Sequence, residues 1–488
     1  MAFGIRNGAA ALLVAAMVAG CAVHELNPVT GERIYAPASA ETEAIYGREA
    51  KALLIADYGI YQDAALTAYV DRVGQALAKN AVRKGIHYTF AILDDDDMNA
   101  FALPGGFVYI TRGALAFINS EAELAAILGH EIGHIDAFHF GRIAGEHNAA
   151  MILLSALLKR SSPTADDLEM ARRMTEASER AAAYSKAQEF EADALGIHYM
   201  ALAGYDPQAS VSAMKTQDAK SRLEDALIHG NSVALEVRAM DQSHPATPDR
   251  EVRAAAAAKN AAPPAGAGTG IGRDAYLAAV DGMTFGANPE QGTVEGHRLV
   301  NTALGFSFDA PDDFDLFPGH GGVLGVGSKA AMIIESVADS KDQSMAAFVQ
   351  SSVSAKGRVE DVRPLGIEGY RGATGLVAND PFLIRVAALR DGDNHVVRLL
   401  YVAPKRTFKD LDTGFLDSLK SFRALKGAEA KPRPPLHLKI VTVAPGDTVQ
   451  KLADRMALKD KRMEWFRVIN GLEPTDEVHA GDRVKVVE

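Results

Sequence analysis

The sequence is poor in cysteine and tryptophan, with one of each among 488 residues. A lone cysteine, Cys21, cannot close an intramolecular disulfide, and a cysteine-based zinc site is excluded as well. Long apolar runs are missing beyond the amino-terminal stretch. The nearest approach, "AAMILLSALL" (149–158), falls short of the roughly 20 apolar residues that cross a bilayer and reads as a buried or lip helix. Basic runs of useful length are absent and the formal net charge is −12, which argues against nucleic acid as a partner. The acidic run "DDDD" (94–97) lacks the spaced oxygen donors of a calcium loop and reads as a solvated turn. What is there is an ordinary folded composition, 48% hydrophobic and 23% charged. The length suits about two to four domains.

Within this chain, "AAILGHEIGHIDAFH" (125–139) sets two histidines and a glutamate into a stretch with helical character. Ser120 and Glu123 form a capping-box pair, and Leu124, Ile127, Leu128, Ile132 and Ile135 supply an apolar face. A helix turns about 100° per residue, so His130 and His134 share a face with Glu131 on its shoulder. This is the H-E-x-x-H arrangement, in which two neutral imidazoles bind Zn²⁺ and the glutamate activates water. A third histidine from the same run would have to stand at 140, which is Phe140. On a continuing helix His139 points away from the metal, and it is set aside as a ligand. The stretch "KAQEFEADALGIHYMALAGYDP" (186–207) offers a glutamate ligand instead. Glu189 and Asp193 share one face, as ligand and as the acceptor that fixes a histidine tautomer, while Glu191 points elsewhere. Taken alone, that pair also suits an ordinary charged helix face.

In "GGFVYITRGAL", Gly105 and Gly106 permit a sharp turn and Phe107 to Thr111 read as a strand. An edge strand beside a metal can take up an extended peptide through its backbone, which makes Gly106, Phe107, Val108 and Tyr109 candidates for substrate binding.

The segments "HEIGH", "EFEADALG", "AGYDP", "NAFALPGGFVYITRGAL" (99–115) and "SHPATPDR" (243–250) resemble the family M48 zinc metallopeptidases of the HtpX and prenyl-protease type, above all their soluble periplasmic members. The resemblance runs over about residues 40 to 255, in the family's order. It implies a gluzincin fold with a small sheet beside the active-site helix. One Zn²⁺ per chain would be held by His130, His134 and Glu189, with Glu131 as general base and proton shuttle. It further implies that His244 approaches the metal from the far side, as a fourth ligand in a latent state or as an oxyanion support, and Arg250 matches the family's arginine. Near the amino end, Arg6, the run "AAALLVAAMVAG" and then "VAGC" resemble a bacterial lipoprotein signal. That implies lipidation at Cys21 and a membrane anchor facing the periplasm of a Gram-negative cell. Ala22 in place of aspartate points to the outer membrane.

The expected organisation is a signal peptide at 1–21, a metallopeptidase domain at 22–253, and a linker "AAAAAKNAAPPAGAGTG" at 254–270. An α+β domain at 271–425 follows, with strands such as "AMIIESVA", "FLIRVAALR" and "HVVRLLYVA" and helices such as "DQSMAAFVQSSV" and "FLDSLKSF". A second tether spans 426–437. The remainder, 438–488, resembles a LysM module, through "GDT" between a strand and a helix, "NGL" after a second helix and "AGDRVKV" as the closing strand. Such a module implies contact with N-acetylglucosamine-containing glycan, here peptidoglycan, with Trp465 in its core or on its binding surface. The fold class is therefore α+β and multidomain: a mainly helical zincin with a small sheet, a central α+β domain and a βααβ module. The expected function is zinc-dependent endopeptidase cleavage of unfolded or misassembled envelope proteins. The rivals are a peptidoglycan-associated hydrolase or amidase, and a chaperone-like binding protein kept latent by His244.

Overall fold

The computed structural model describes residues 23–26, 33–36, 40–139, 186–227, 244, 247–261, 270–286, 292–319, 322–338, 343–351, 359–379, 381–390, 395–431, 434–458 and 460–488. The signal at 1–21 with Cys21, and the apolar run 149–158, lie outside the described residues. Among the described residues no helix is long and apolar enough to cross a membrane.

Strands β1 (Val23–Leu26) and β2 (Arg33–Ala36) pair antiparallel ahead of helix α1 (Ala40–Tyr58). Helix α2 (Ala64–Ala78) starts where the Asp63 side chain accepts from Leu66 N at 2.9 Å, and it buries Leu66, Val70, Val73 and Leu77 at helical spacing. Strands β3 (Thr89–Leu93), β4 (Ala100–Leu103) and β5 (Phe107–Thr111) form a sheet in the order β3-β5-β4, with β3 parallel and β4 antiparallel to β5.

The strand expected at Phe107 to Thr111 is present, and the turn before it needs its glycines. Gly105 and Gly106 have φ of +84° and +97°, and a Cβ on Gly106 would lie 2.5 Å from the His87 carbonyl oxygen. The expected edge position is corrected, however. β5 is the central strand, so its backbone is already paired on both sides, and the side chains of Val108 and Tyr109 are buried. Gly106, Phe107, Val108 and Tyr109 thus offer no free ladder to a peptide. The edge on the β4 side of the sheet belongs to the residues just before them.

Helix α3 (Arg112–Phe117) follows, capped by the Thr111 hydroxyl, and then α4 (Glu121–Asp136). Ser120 caps α4 by accepting from Glu123 N at 3.1 Å, while Glu123 reaches back one residue further than a capping box requires, to Asn119 N. Leu124, Leu128, Ile132 and Ile135 are buried as the periodicity predicts. Helices α5 (Lys186–Ala203) and α6 (Ala209–Leu227) pack against α4, and α7 (Pro248–Asn260) packs on α5 and α6. Helix α7 overturns the linker expected from residue 254. Alanine is the strongest helix former, Thr247 caps the start, and Ala254 and Ala258 bury themselves against Ile197 and Met214.

The boundary expected at 271 also moves. Along α8 (Arg273–Val280), β6 (Thr284–Phe285) and the turn between them, the side chains of Tyr276, Val280, Met283 and Phe285 join the core of the preceding helices. Next come β7 (Thr293–Glu295), β8 (Arg298–Asn301), β9 (Phe306–Asp309), β10 (Asp315–Gly319), β11 (Gly322–Val326), β12 (Ala331–Ala338), α9 (Met345–Ser351), β13 (Val359–Ile367), β14 (Tyr370–Asn379), β15 (Phe382–Arg390), β16 (His395–Pro404), α10 (Lys405–Lys420) and β17 (Arg423–Ala424). They form a seven-stranded antiparallel sheet, β10-β11-β12-β16-β15-β14-β13, and a four-stranded one, β17-β9-β8-β7. The strands expected from "AMIIESVA", "FLIRVAALR" and "HVVRLLYVA" are β12, β15 and β16.

The end of the chain runs β18 (Leu436–Thr442), α11 (Val449–Asp454), α12 (Arg462–Asn470) and β19 (Arg483–Val487), the βααβ order read from the sequence. It does not hang from a tether. β18 lies between β19 and β6, and Leu438, Leu452, Phe466 and Val486 belong to the same apolar cluster as Leu124 and Leu128 of α4. Trp465 faces inward at this junction, with ring centroids 6.0 Å from Phe117 and 6.5 Å from Phe285.

Candidate metal centre

Two helices meet closely enough to bring distant residues to one point. A Cβ on Gly133 of α4 would lie 2.8 Å from the Ala192 carbonyl oxygen of α5, and one on Gly196 of α5 would lie 2.7 Å from His130 N. Glycine at these positions lets the backbones touch. The consequence is that side chains separated by more than 50 residues share one volume.

In that volume His130 Nε2 and His134 Nε2 stand 2.9 Å apart. Glu189 places Oε2 3.5 Å from the first and Oε1 3.5 Å from the second. His244 enters from the far side, its Nδ1 2.9 Å from Glu189 Oε1 and 3.3 Å from His130 Nε2. One ligand atom from each of these four residues lies within 4.8 Å of the others. Glu131 flanks the group, with Oε1 3.8 Å from His244 Nε2.

This set fits a cation. Ring nitrogens of His130, His134 and His244, with the Glu189 carboxylate, converge to within 4.8 Å of one another, and three nitrogens with one carboxylate form a donor set suited to zinc or a neighbouring transition metal. Glu131 Oε2 is buried with no hydrogen-bond partner, an acceptor left for a donor such as water.

The surroundings hold these groups in place. Asp193 Oδ1 lies 2.9 Å from His130 Nδ1, the ring nitrogen turned away from the cluster. Arg250 donates from Nε and Nη2 to both oxygens of Asp193, at 2.9 and 2.7 Å, and its Nη1 lies 2.7 Å from Glu189 Oε2 and 3.2 Å from the His244 carbonyl oxygen. Arg250 therefore acts on the acidic side chains and the loop behind the cluster. Burial pushes the Asp193 carboxyl up, but the Arg250 and His130 hydrogen bonds outweigh it and hold the group at about 2. Burial likewise opposes ionisation of Glu189, yet the His244 hydrogen bond and the nearby cations bring it below its ordinary value. For Glu131 burial wins over His244 and His130, and its carboxyl sits above the usual range. Burial, followed by the neighbouring imidazoles, drives His134 well below its ordinary value and keeps it neutral.

The structure thus brings together His130, Glu131, His134, Glu189, Asp193, His244 and Arg250. It does not bring Gly106, Phe107, Val108 or Tyr109 into the group. The cavity beside Glu131 is lined instead by Asn99 and Ala100 at the β4 edge, with Ile127, Ile197 and Met214.

His139 requires correction. The reading that it points away assumed a continuing helix, but α4 stops at Asp136 and Phe138 adopts φ +55°. The left-handed turn there sets His139 Nδ1 2.8 Å from His134 Nδ1. Glu191, also expected to point elsewhere, is the partner of His139, with Oε2 3.1 Å from Nε2. Gln217, which no sequence signal marked, donates to the His244 carbonyl oxygen at 3.0 Å.

Comparison with known proteins agrees with this geometry. Residues 64–258 match the model of Peptidase family M48. The chain is similar to a beta-barrel assembly-enhancing protease of Yersinia pestis, 28% identical over 204 residues that cover 41% of this chain and 42% of the relative. A putative beta-barrel assembly-enhancing protease of Vibrio cholerae is 31% identical over 175 residues, covering 35% of this chain and 36% of the relative. The mitochondrial metalloendopeptidase OMA1 of Arabidopsis thaliana is 30% identical over 136 residues, covering 28% of this chain and 27% of the relative. The matches span less than half the length of these relatives. With the histidine and glutamate cluster inside the matched segment, the chain carries a metallopeptidase domain of family M48.

Proposed function

We propose that this chain is a zinc-dependent endopeptidase that cleaves unfolded or misassembled envelope proteins in the periplasm. On this reading it is anchored by lipid at Cys21, and its βααβ end contacts peptidoglycan. The observation that carries the catalytic part is the convergence of His130, His134 and Glu189 beside a buried Glu131. Zinc bound there supplies a Lewis acid that polarises a peptide carbonyl. Glu131 takes the proton of the attacking water and returns it to the leaving amine, a task suited to a carboxyl that burial has raised above its usual range. The β4 edge beside the cavity suits an extended chain held through its backbone, with little sequence preference. Similarity to proteases named for beta-barrel assembly supports envelope proteins as substrates.

Glu131→Gln is expected to keep one zinc per chain while losing casein cleavage by about 10²-fold or more. Retained cleavage by that variant, purified free of other proteases, overturns the assignment. A second reading, a latent state, is favoured by His244 Nδ1, which stands 2.9 Å from Glu189 Oε1 and 3.3 Å from His130 Nε2 and so adds a third nitrogen to the group. His244→Ala is then expected to cleave casein faster than the parent chain, and no gain counts against the latch.

A further inference from the structure

The two histidines of the cluster differ in what stands behind them. His130 turns Nδ1 directly onto a carboxylate, Asp193, whereas His134 turns Nδ1 onto another imidazole, that of His139. His139 is fully buried, and its second nitrogen meets Glu191, whose side chain is 11% exposed. We propose that Glu191 and His139 form an outer relay that fixes the tautomer and ring orientation of His134, with His139 as a positioning residue for metal binding. The proposal rests on the zinc-site reading above.

The hydrogen-bond logic runs one way. For His134 to offer a lone pair at Nε2, its proton must sit on Nδ1. That N–H donates to His139 Nδ1 across 2.8 Å, so His139 accepts there and carries its own proton on Nε2. His139 Nε2 donates in turn to the Glu191 carboxylate at 3.1 Å, and a carboxylate only accepts. One acidic group at the far end therefore sets which nitrogen of His134 faces the cluster. Both ligand imidazoles end on a carboxylate, one directly and the other through an inserted ring.

The fold commits a strained turn to this contact. Phe138 holds a left-handed backbone conformation that a bulky side chain rarely adopts. Arg83 secures it from a distant segment. Its guanidinium lies 3.6 Å from the Phe138 ring centroid, Nη1 donates to the Ile135 carbonyl oxygen at 2.9 Å, and Nη2 pairs with Glu43 at 2.5 Å. The turn places His139 beneath the last turn of α4, where a continuing helix would have carried it away.

The test measures zinc affinity of the full chain by competition with a chromophoric chelator, and the visible spectrum of the cobalt-substituted protein. His139→Phe and Glu191→Leu are each expected to weaken zinc binding by about 10- to 100-fold, and the double variant by no more than the weaker single, because the residues act through one relay. The cobalt band at saturating metal is expected to shift in all three, a change that simple loss of stability does not produce. Glu191→Gln keeps the volume and covers the case in which the others do not fold; it is expected to weaken zinc in the same direction by less. A parent chain that binds one zinc, with unchanged affinity and spectrum in Glu191→Gln and His139→Phe, overturns the relay alone. A parent chain that binds no zinc overturns the site reading and the relay with it. Losses that add in the double variant also overturn it.

Discussion

The two units that follow the matched peptidase segment relate to it in opposite ways. Both read from sequence as domains held on tethers rich in alanine, proline or charge. In the structure the last unit, β18 to β19, shares an apolar cluster with helix α4, whereas the preceding unit, β7 to β17, packs its apolar residues in two clusters of its own. Each contains a buried basic side chain that makes the same point. Lys485 of β19 is fully buried and donates to the carbonyl oxygens of Ala116 and Ile118 at 2.7 and 2.8 Å, closing the end of α3 just ahead of the active-site helix. Arg385 of β15 is equally buried, but its partner Asp412 lies in α10 of the same unit. Continuity of the core, not the composition of the connecting stretch, decides what folds together.

Replacing those two side chains sharpens the comparison, and the larger effect on the catalytic body is expected at Lys485. Lys485→Leu leaves the buried carbonyls of Ala116 and Ile118 without their donor, at a cost of about 3–5 kcal/mol. The melting temperature of the catalytic body should fall by roughly 10 °C, with weaker zinc retention at raised temperature. Arg385→Leu removes a comparable partnership and should lower a separate transition by a similar amount, while zinc affinity stays unchanged. Calorimetry of both variants checks this. A single transition that moves equally in the two would mean that the units are thermodynamically one.

How much of this was legible depended on whether the determining contacts were local. His130, Glu131 and His134, and likewise Glu189 and Asp193, are fixed by spacing within one helix, so a pattern of three or four residues finds them. Strand β5 was legible for the same reason, but its central place was not, since its pairing with β4 depends on a partner set by chain topology. His139 escaped because no local rule assigns a left-handed backbone to Phe138; the reason is Arg83, 55 residues earlier in the chain. The alanine run at 254–258 looked like a tether because small side chains suggest little to bury. Small side chains are also what allow a helix to lie close against Ile197 and Met214.

The smallest expected effect comes from removing the β7 to β17 unit altogether. It enters after Phe285 and leaves before Leu436, and those two residues pair directly across the antiparallel β6 and β18, as do Thr284 and His437. Strands in that register can be joined by a two-residue turn, for which Asn-Gly is preferred because both positions need positive φ. A chain in which Asn-Gly replaces residues 286–435 therefore needs no new path for its backbone. It loses the hydrogen bond from Arg112 to the Gly286 carbonyl oxygen, worth about 1 kcal/mol, while Arg112 keeps Thr284 O and Asp94. Zinc stoichiometry and casein cleavage are expected to match those of the full chain. A shortened chain that binds zinc but no longer cleaves would show that the excised sheets take part in catalysis, and one that melts without cooperativity that they stabilise the catalytic body; either would show that separate cores do not imply separate roles.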